Sequence, residues 1–282
     1  MEKTRPFWLW PNLISLDAPI VAVVWAWIFA ETWRVQWINS KIFYVLPGVV
    51  WIIYVLDRML DNQSSKGTLE SSRHQFHGEN WNWLKLAVFA VGGFCVAMAI
   101  LLPKGIIWHV IPILFCVCIY FFLAILYGGM SSGGSFFKNA VAGYTFSYGV
   151  AMGVHFFRPS VDAMNLMWSR EMISFAILCV CNITAIDLWE ASRSSEEKEA
   201  KGYYELLLTI PLLGLVFVSL YWAVRGDEYA RPFYFAIMIA SGLLQLINRY
   251  RSTLTLDAQR ALADAALIAP APVFWLYLQY LK

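Results

Sequence analysis

Long runs of hydrophobic residues dominate the chain, and charges, glycines and prolines interrupt them. Division at these interruptions gives roughly nine segments of about 17 to 22 residues, the length that an α-helix needs to cross about 30 Å of hydrocarbon. The segments are 13–30, 42–60, 84–102, 106–127, 139–157, 171–189, 203–224, 232–248 and 261–281. A transmembrane β-barrel would show shorter segments with every second residue polar. The pattern predicts an all-α polytopic membrane protein with about nine transmembrane helices in a single domain, 1–282.

Composition agrees with this class. Hydrophobic residues make up 60% of the chain and charged residues 14%, which is too little polar surface to cover a soluble globule of 282 residues. We expect the lipid bilayer to surround the chain and no nucleic acid to bind it. The predicted loops on the same side of the membrane as the N-terminus contain more lysine and arginine than the loops on the opposite side. The positive-inside rule therefore predicts a cytoplasmic N-terminus.

Two acidic pairs stand at the ends of otherwise apolar segments. Asp57 and Asp61 close the second segment, and Asp187 and Glu190 close the sixth. Each carboxylate at membrane depth costs about 2.5–3.5 kcal/mol on insertion scales, so a shared task is the simplest explanation. Both segments run toward the cytoplasmic face, which brings the pairs to one side. Spacings of four and three residues put each pair on one helical face, where carboxylate oxygens suit Mg²⁺.

Basic residues flank the same face. The hydrophilic segment 61–80 contains Lys66 and Arg73 and is long enough to form a lid. A glycine-rich turn at 126–139 contains Tyr127 and ends near Lys138. Carboxylates that hold metal ions, together with lysine or arginine that neutralises the remaining charge, are typical of a Mg²⁺-bridged phosphate site.

These motifs resemble the UbiA superfamily of intramembrane prenyltransferases and related terpene cyclases. The first acidic pair matches the two acids of the family motif Asn-x-x-x-Asp-x-x-x-Asp, and the second pair matches the second motif with Glu190 in place of Asp. Tyr127 and Lys138 around the loop between the fourth and fifth helices, and Arg5-Pro6 near the N-terminus, also look like the family. The resemblance implies a UbiA-like bundle in which the four acids bind Mg²⁺ and the diphosphate of an isoprenyl substrate, such as farnesyl or geranylgeranyl diphosphate.

Departures from the family pattern bear on the reaction. Ile53 stands where the family usually has Asn, and Ser194 replaces a common third acid. Because the motifs are degenerate and aromatic residues reach 17%, we expect a cyclase, in which the chain's own double bond captures the carbocation. Transfer of the prenyl group to an aromatic or other lipophilic acceptor is the alternative. The aromatic residues expected to line the pocket are Tyr54, Tyr144, Phe146, Tyr148 and Trp189.

Other interpretations remain open at this stage. Buried carboxylates also suit an ion- or proton-coupled transporter. A CDP-alcohol phosphotransferase would show a longer Asp-Gly-x-x-Ala-Arg pattern, which is absent. Asp264 is either a proton acceptor or, as we expect, a salt-bridge partner of Arg260 one turn away. His77 is expected to belong to a solvated loop, and Gly149 and Gly153 are expected to permit close helix packing.

Overall fold

The computed structural model describes residues 6–64, 72–127, 133–158, 163–194 and 198–281. These residues form helices joined by short turns, and no strand occurs among them, which confirms the all-α prediction. The α-helices are α1 (Trp10–Leu13), α2 (Asp17–Thr32), α3 (Ile42–Ser64), α4 (Ser72–Glu79), α5 (Trp81–Ile100), α6 (Ile106–Tyr127), α7 (Gly133–His155), α8 (Ala163–Met167), α9 (Arg170–Ser194), α10 (Lys198–Arg225), α11 (Arg231–Tyr250), α12 (Leu256–Ile268) and α13 (Pro270–Leu281). Short 3-10 helices occupy Phe7–Leu9 and Arg251–Thr253.

Each predicted segment coincides with helix, but the first and last differ in detail. The first was expected at 13–30, whereas α2 begins at Asp17 because the preceding stretch Phe7–Leu13 bends away by 82°. Ser15 at this bend has a φ of 57°, which ends one helix before the next begins. The last segment is divided into α12 and α13, because Pro270 has no backbone N–H with which to continue the helical hydrogen bonds. Ala269 keeps helical dihedral angles, and Leu256–Tyr280 still counts as one apolar stretch.

Among the described residues, six helical stretches are long and apolar enough to cross a membrane, or up to seven if the bent pair Phe7–Leu13 and Asp17–Thr32 is counted as one. This is the pattern of a multi-pass helical membrane protein, whereas nine crossings stay a prediction. Protein buries 56% of the apolar stretch in α9 but only 11% of those in α5 and α6. Helix α9 is therefore central, and α5 and α6 keep most of their surface free for lipid.

Aromatic side chains fill the centre of the bundle between α2, α9 and α11. Trp25 is fully buried and stacks on Phe175, with 4.3 Å between ring centroids, and it meets Phe233 edge-on at 5.7 Å. Its indole N–H donates to the backbone carbonyl of Leu267 at 2.9 Å, so burial leaves no donor unsatisfied. Stacked and edge-on aromatic pairs favour one fixed arrangement, which makes this part a firm support for the polar residues beside it.

The carboxyl ends of α3 and α9 lie at the same end of the bundle. Arg193, near the end of α9, donates to the backbone carbonyl of Leu254, just before α12. Ser72 of α4, the described helix that follows α3, donates to Asp257 in the first turn of α12 at 2.6 Å. Helix α9 therefore ends beside the start of α12, and α4, which packs against α3, begins there as well. We call this the acidic end, because it carries Asp57, Asp187 and Glu190.

Candidate active site

Asp57 of the first acidic pair is held from two sides. The Tyr120 hydroxyl of α6 donates to Asp57 Oδ1 at 2.6 Å, and Arg58 Nη1 lies 3.5 Å from Oδ2. The Asp57 side chain is only 14% exposed, and α3 continues to Ser64 beyond it. Asp57 is therefore an oriented carboxylate within the helix and not a charge that ends the helix. Asp61 lies one turn further along α3, but its side chain lies outside the described residues.

Asp187 of the second pair is held by α7. Asn139 is buried and donates through Nδ2 to Asp187 Oδ2 at 2.7 Å. The two helices approach closely one turn further along α7, where a Cβ on Gly143 would lie 2.7 Å from the backbone nitrogen of Val180. Only glycine fits there without displacement of backbone, so Gly143 sets the distance across which Asn139 reaches Asp187. Lys138, next to Asn139, is partly buried at the same end.

Glu190 forms an ion pair with Arg260 of α12. The contact joins Arg260 Nη2 and Glu190 Oε1, and the Arg260 side chain is 4% exposed while that of Glu190 is 39% exposed. Neighbouring Trp189 is buried and donates its indole N–H to Asn248 of α11 at 3.0 Å. The carboxyl end of α9 is thus fixed to both α11 and α12.

A small polar cavity lies deeper in the bundle, between α2, α3, α7, α9 and α12. Its volume is about 20 Å³, and Tyr54, Phe146, Asn182 and Asp264 are among the residues that line it. Asn182 Nδ2 donates to Asp264 Oδ1 at 3.1 Å. The Tyr54 and Phe146 rings meet edge-on with centroids 6.5 Å apart. The cavity therefore combines a carboxylate, an amide and aromatic faces inside a membrane protein.

The remaining predicted site residues are distributed around this framework. Tyr54 lines the cavity, whereas Tyr148 is buried in the helix core and Tyr144 packs against that core. Neither Tyr144 nor Tyr148 is among the residues that line the cavity. Lys66 and the side chains of Arg73 and Tyr127 lie outside the described residues.

The described carboxylates do not gather into one group of three. Within the part of the chain that the structure describes, no group of three or more His, Cys, Asp or Glu side chains could hold a metal ion. Asp57, Asp187 and Glu190 instead contact Tyr120, Asn139 and Arg260, respectively. Their oxygen atoms suit Mg²⁺ in kind, but the described geometry does not assemble them around one ion.

Some polar partners were missed from the sequence, and two predictions were wrong. His77 was expected in a solvated loop, but it is fully buried and its Nε2 lies 3.5 Å from Ser15 Oγ, because α4 packs beneath the bend before α2. Arg260 was expected to pair with Asp264, but its ion pair is with Glu190. Asn139 and Asn182 had a usable signal, since each is a polar residue in an apolar helix. Tyr120 had none.

Comparison of the chain with protein-family models, with curated proteins and with solved structures gives no match.

Proposed function

We propose that this chain is an intramembrane enzyme that ionises an isoprenyl diphosphate, the activity that its likeness to the UbiA superfamily implies. In this proposal about nine transmembrane helices form a UbiA-like bundle, and the acidic end faces the cytoplasm. The diphosphate binds at the acidic end, where Asp57, Asp61, Asp187 and Glu190 are located. We include Mg²⁺ in the proposal because carboxylate oxygens are its usual protein ligands and because the resemblance to the UbiA superfamily implies it.

One observation carries the proposal: two acidic motifs on separate helices end at the same end of the bundle. The consecutive helices α6 and α7 each supply a donor to one motif, Tyr120 to Asp57 and Asn139 to Asp187. A helix that merely ended at the membrane surface would need no such partners, because water would solvate its carboxylates. Oriented carboxylates below a water-exposed surface are what a diphosphate and its counter-ions require.

Different residues of the chain would act on the leaving group and on the carbocation. Arg58 and Lys138 at the acidic end supply positive charge that favours diphosphate as a leaving group. The C–O bond breaks with its electron pair on the diphosphate oxygen, and an allylic carbocation remains. The apolar helices exclude water from this cation. Ring faces attract a cation by about 0.5–2 kcal/mol each, and Tyr54 and Phe146 offer such faces beside the polar cavity.

We favour cyclisation over transfer within this proposal. Ile53 in place of the family Asn and Glu190 in place of Asp depart from the pattern of acceptor-prenylating enzymes. In cyclisation, a distant double bond of the same isoprenyl chain attacks the cation. Transfer to an aromatic or other lipophilic acceptor needs the same ionisation but a second bound molecule.

An ion- or proton-coupled transporter is the second candidate, and the small cavity favours it. Asp264 and Asn182 present oxygen atoms inside the bundle, as an ion or proton site requires. The position of the acidic motifs at one end, away from the middle of the bundle, favours the enzyme.

The deciding experiment supplies substrate without acceptor. Purified protein in detergent is incubated with Mg²⁺ and geranyl, farnesyl or geranylgeranyl diphosphate, and released diphosphate and extracted hydrocarbons are measured. We expect Mg²⁺-dependent release that falls at least about 100-fold in Asp57→Asn, since removal of a group that stabilises developing charge costs about 10²–10³-fold. A cyclic hydrocarbon indicates a cyclase, and release that needs an added acceptor indicates a transferase.

Asp227→Asn is the matched control. Asp227 lies just before α11, at the opposite end of the bundle, where it accepts from the backbone N–H groups of Tyr229 and Ala230. Asparagine can accept the same hydrogen bonds, so the variant should keep the fold. It removes one negative charge, as Asp57→Asn does, but leaves the acidic end unchanged. Absence of Mg²⁺-dependent diphosphate release from the wild type with every chain length would overturn the enzyme proposal.

A further inference from the structure

Asn182, which lines the cavity at Asp264, has a side-chain oxygen that accepts no hydrogen bond from the described residues. Asn182 is 7% exposed, and its Nδ2 is engaged by Asp264. Its Oδ1 is buried and has no hydrogen-bond partner among the described residues. A buried acceptor that stays unpaired has lost its hydrogen bonds to water without replacement, so it calls for a donor from a ligand or a water molecule. Asn182 lines the cavity, which makes the cavity the place where the missing donor fits.

The size and the lining of the cavity define that donor. A volume of about 20 Å³ accommodates roughly one water molecule, given that about 10–15 Å³ is the least that one needs. Tyr54, which carries a hydroxyl, and Asp264, which carries a carboxylate, both line the cavity. A water molecule needs two to four polar partners, and this site offers three. Arg58 and Asp17 also act electrostatically on the Tyr54 hydroxyl.

The cavity lies deeper in the bundle than the acidic end, on the side toward which the hydrocarbon chain of the proposed substrate would extend. Asn182 precedes Asp187 by five residues on α9, which corresponds to about 7.5 Å along the helix axis toward the middle of the bundle. A substrate whose diphosphate stays at the acidic end extends its hydrocarbon chain in this direction. The cavity, which has room for one water molecule, therefore lies beside the expected path of the carbon skeleton and away from the leaving group.

We infer that Asp264, supported by Asn182 and Tyr54, is the base that accepts the proton lost from the carbocation in the final step; the inference rests on the proposed function. The C–H bond beside the cationic carbon breaks, its electron pair becomes the new C=C bond, and the proton passes to the Asp264 carboxylate directly or through one water molecule. A cation and an anion thus become a neutral alkene and a neutral acid. Such neutralisation is favourable where water is excluded. Transfer to an aromatic acceptor releases an equivalent proton.

The test measures the step after ionisation by itself. Asp264→Asn keeps the shape and an acceptor oxygen but removes the basic carboxylate. The measured quantity is the amount of product formed by proton loss for each diphosphate released, by mass spectrometry of extracts and a diphosphate assay. We expect this ratio to fall at least about tenfold, since a positioned base contributes about 10²–10⁴-fold to a proton transfer. Alcohols formed by attack of water on the cation should take the place of the alkene.

Two further variants keep the test decisive. Asp264→Glu restores a carboxylate and should recover part of the alkene, even if Asp264→Asn folds poorly. Asp257→Asn, on the same helix with its carboxylate bonded to Ser72 at the acidic end, should leave the ratio unchanged. Diphosphate release with an unchanged product ratio in Asp264→Asn would overturn the inference and leave the proposed function intact. Absence of diphosphate release from the wild type would overturn both.

Discussion

The two acidic motifs differ in how deeply the protein embeds them. The first lies on α3, whose apolar stretch is 28% buried, and its described partner across the bundle comes from α6, which is 11% buried. The second lies on α9, which is 56% buried, and it is tied to α7 and α12. Removal of a charge from the second motif should therefore disturb the fold as well as the chemistry, whereas the first motif should act mainly in chemistry.

The ion pair of Glu190 and Arg260 offers the largest expected effect on stability. Glu190→Ala leaves the guanidinium of Arg260 buried without its counter-ion, which typically costs about 3–5 kcal/mol. We expect a value of roughly 3 kcal/mol, because Glu190 is 39% exposed and solvent screens part of the interaction. Thermal unfolding in detergent, followed by circular dichroism, measures the loss.

The double variant Glu190→Leu with Arg260→Met is the matched control. It removes both charges and keeps apolar volume, and such replacements are often neutral or stabilising. Unfolding temperatures should therefore return close to that of the wild type. A double variant as unstable as Glu190→Ala would show that the charge left on Arg260 is not the cause, and that Glu190 supports the fold through other contacts.

The contact between α7 and α9 offers the next largest effect. Gly143→Ala places a methyl group 2.7 Å from the Val180 backbone nitrogen, and separation of the helices should cost about 1–3 kcal/mol. Asn139 should then reach Asp187 less well. Gly149→Ala on the same helix is the control, because its new methyl group meets nothing within 4 Å and alanine favours helix. Equal losses in the two variants, compared by thermal unfolding, would contradict a specific contact at Gly143.

The glycines show which parts of the fold follow from the sequence and which do not. Continuous apolar runs predict the helices well, because length and hydropathy are properties of the run itself. The rotation of a helix about its axis is different, since a helix that is apolar all round carries no mark of its inner face. Gly149 and Gly153 have the spacing expected of a packing motif, yet an added Cβ would meet the backbone of a neighbouring helix at Gly143 and at neither of these two.

The candidate site likewise contains residues that the sequence predicts and contacts that it does not. Asp57 and Asp187 are visible because charges are rare in apolar helices, and the direction of each helix places them at one end. Their partners depend on pairs of helices distant in sequence: Tyr120 on α6 is 63 residues from Asp57, and Arg260 on α12 is 70 residues from Glu190. No local pattern encodes these pairs, so the sequence predicted the acids but not what holds them.

Tyr120→Phe tests the first motif with the smallest expected effect on stability. The change removes the hydrogen bond to Asp57, and we expect a loss of about 1 kcal/mol because Arg58 remains beside the carboxylate. Tyr44→Phe on α3 is the control, since Tyr44 is 57% exposed at the surface of the bundle. The unfolding temperature of Tyr120→Phe should lie only slightly below that of this control. Diphosphate release by Tyr120→Phe should fall clearly, because Asp57 loses its orientation. A large loss of stability with unchanged diphosphate release would reverse the comparison and make the first motif the structural one.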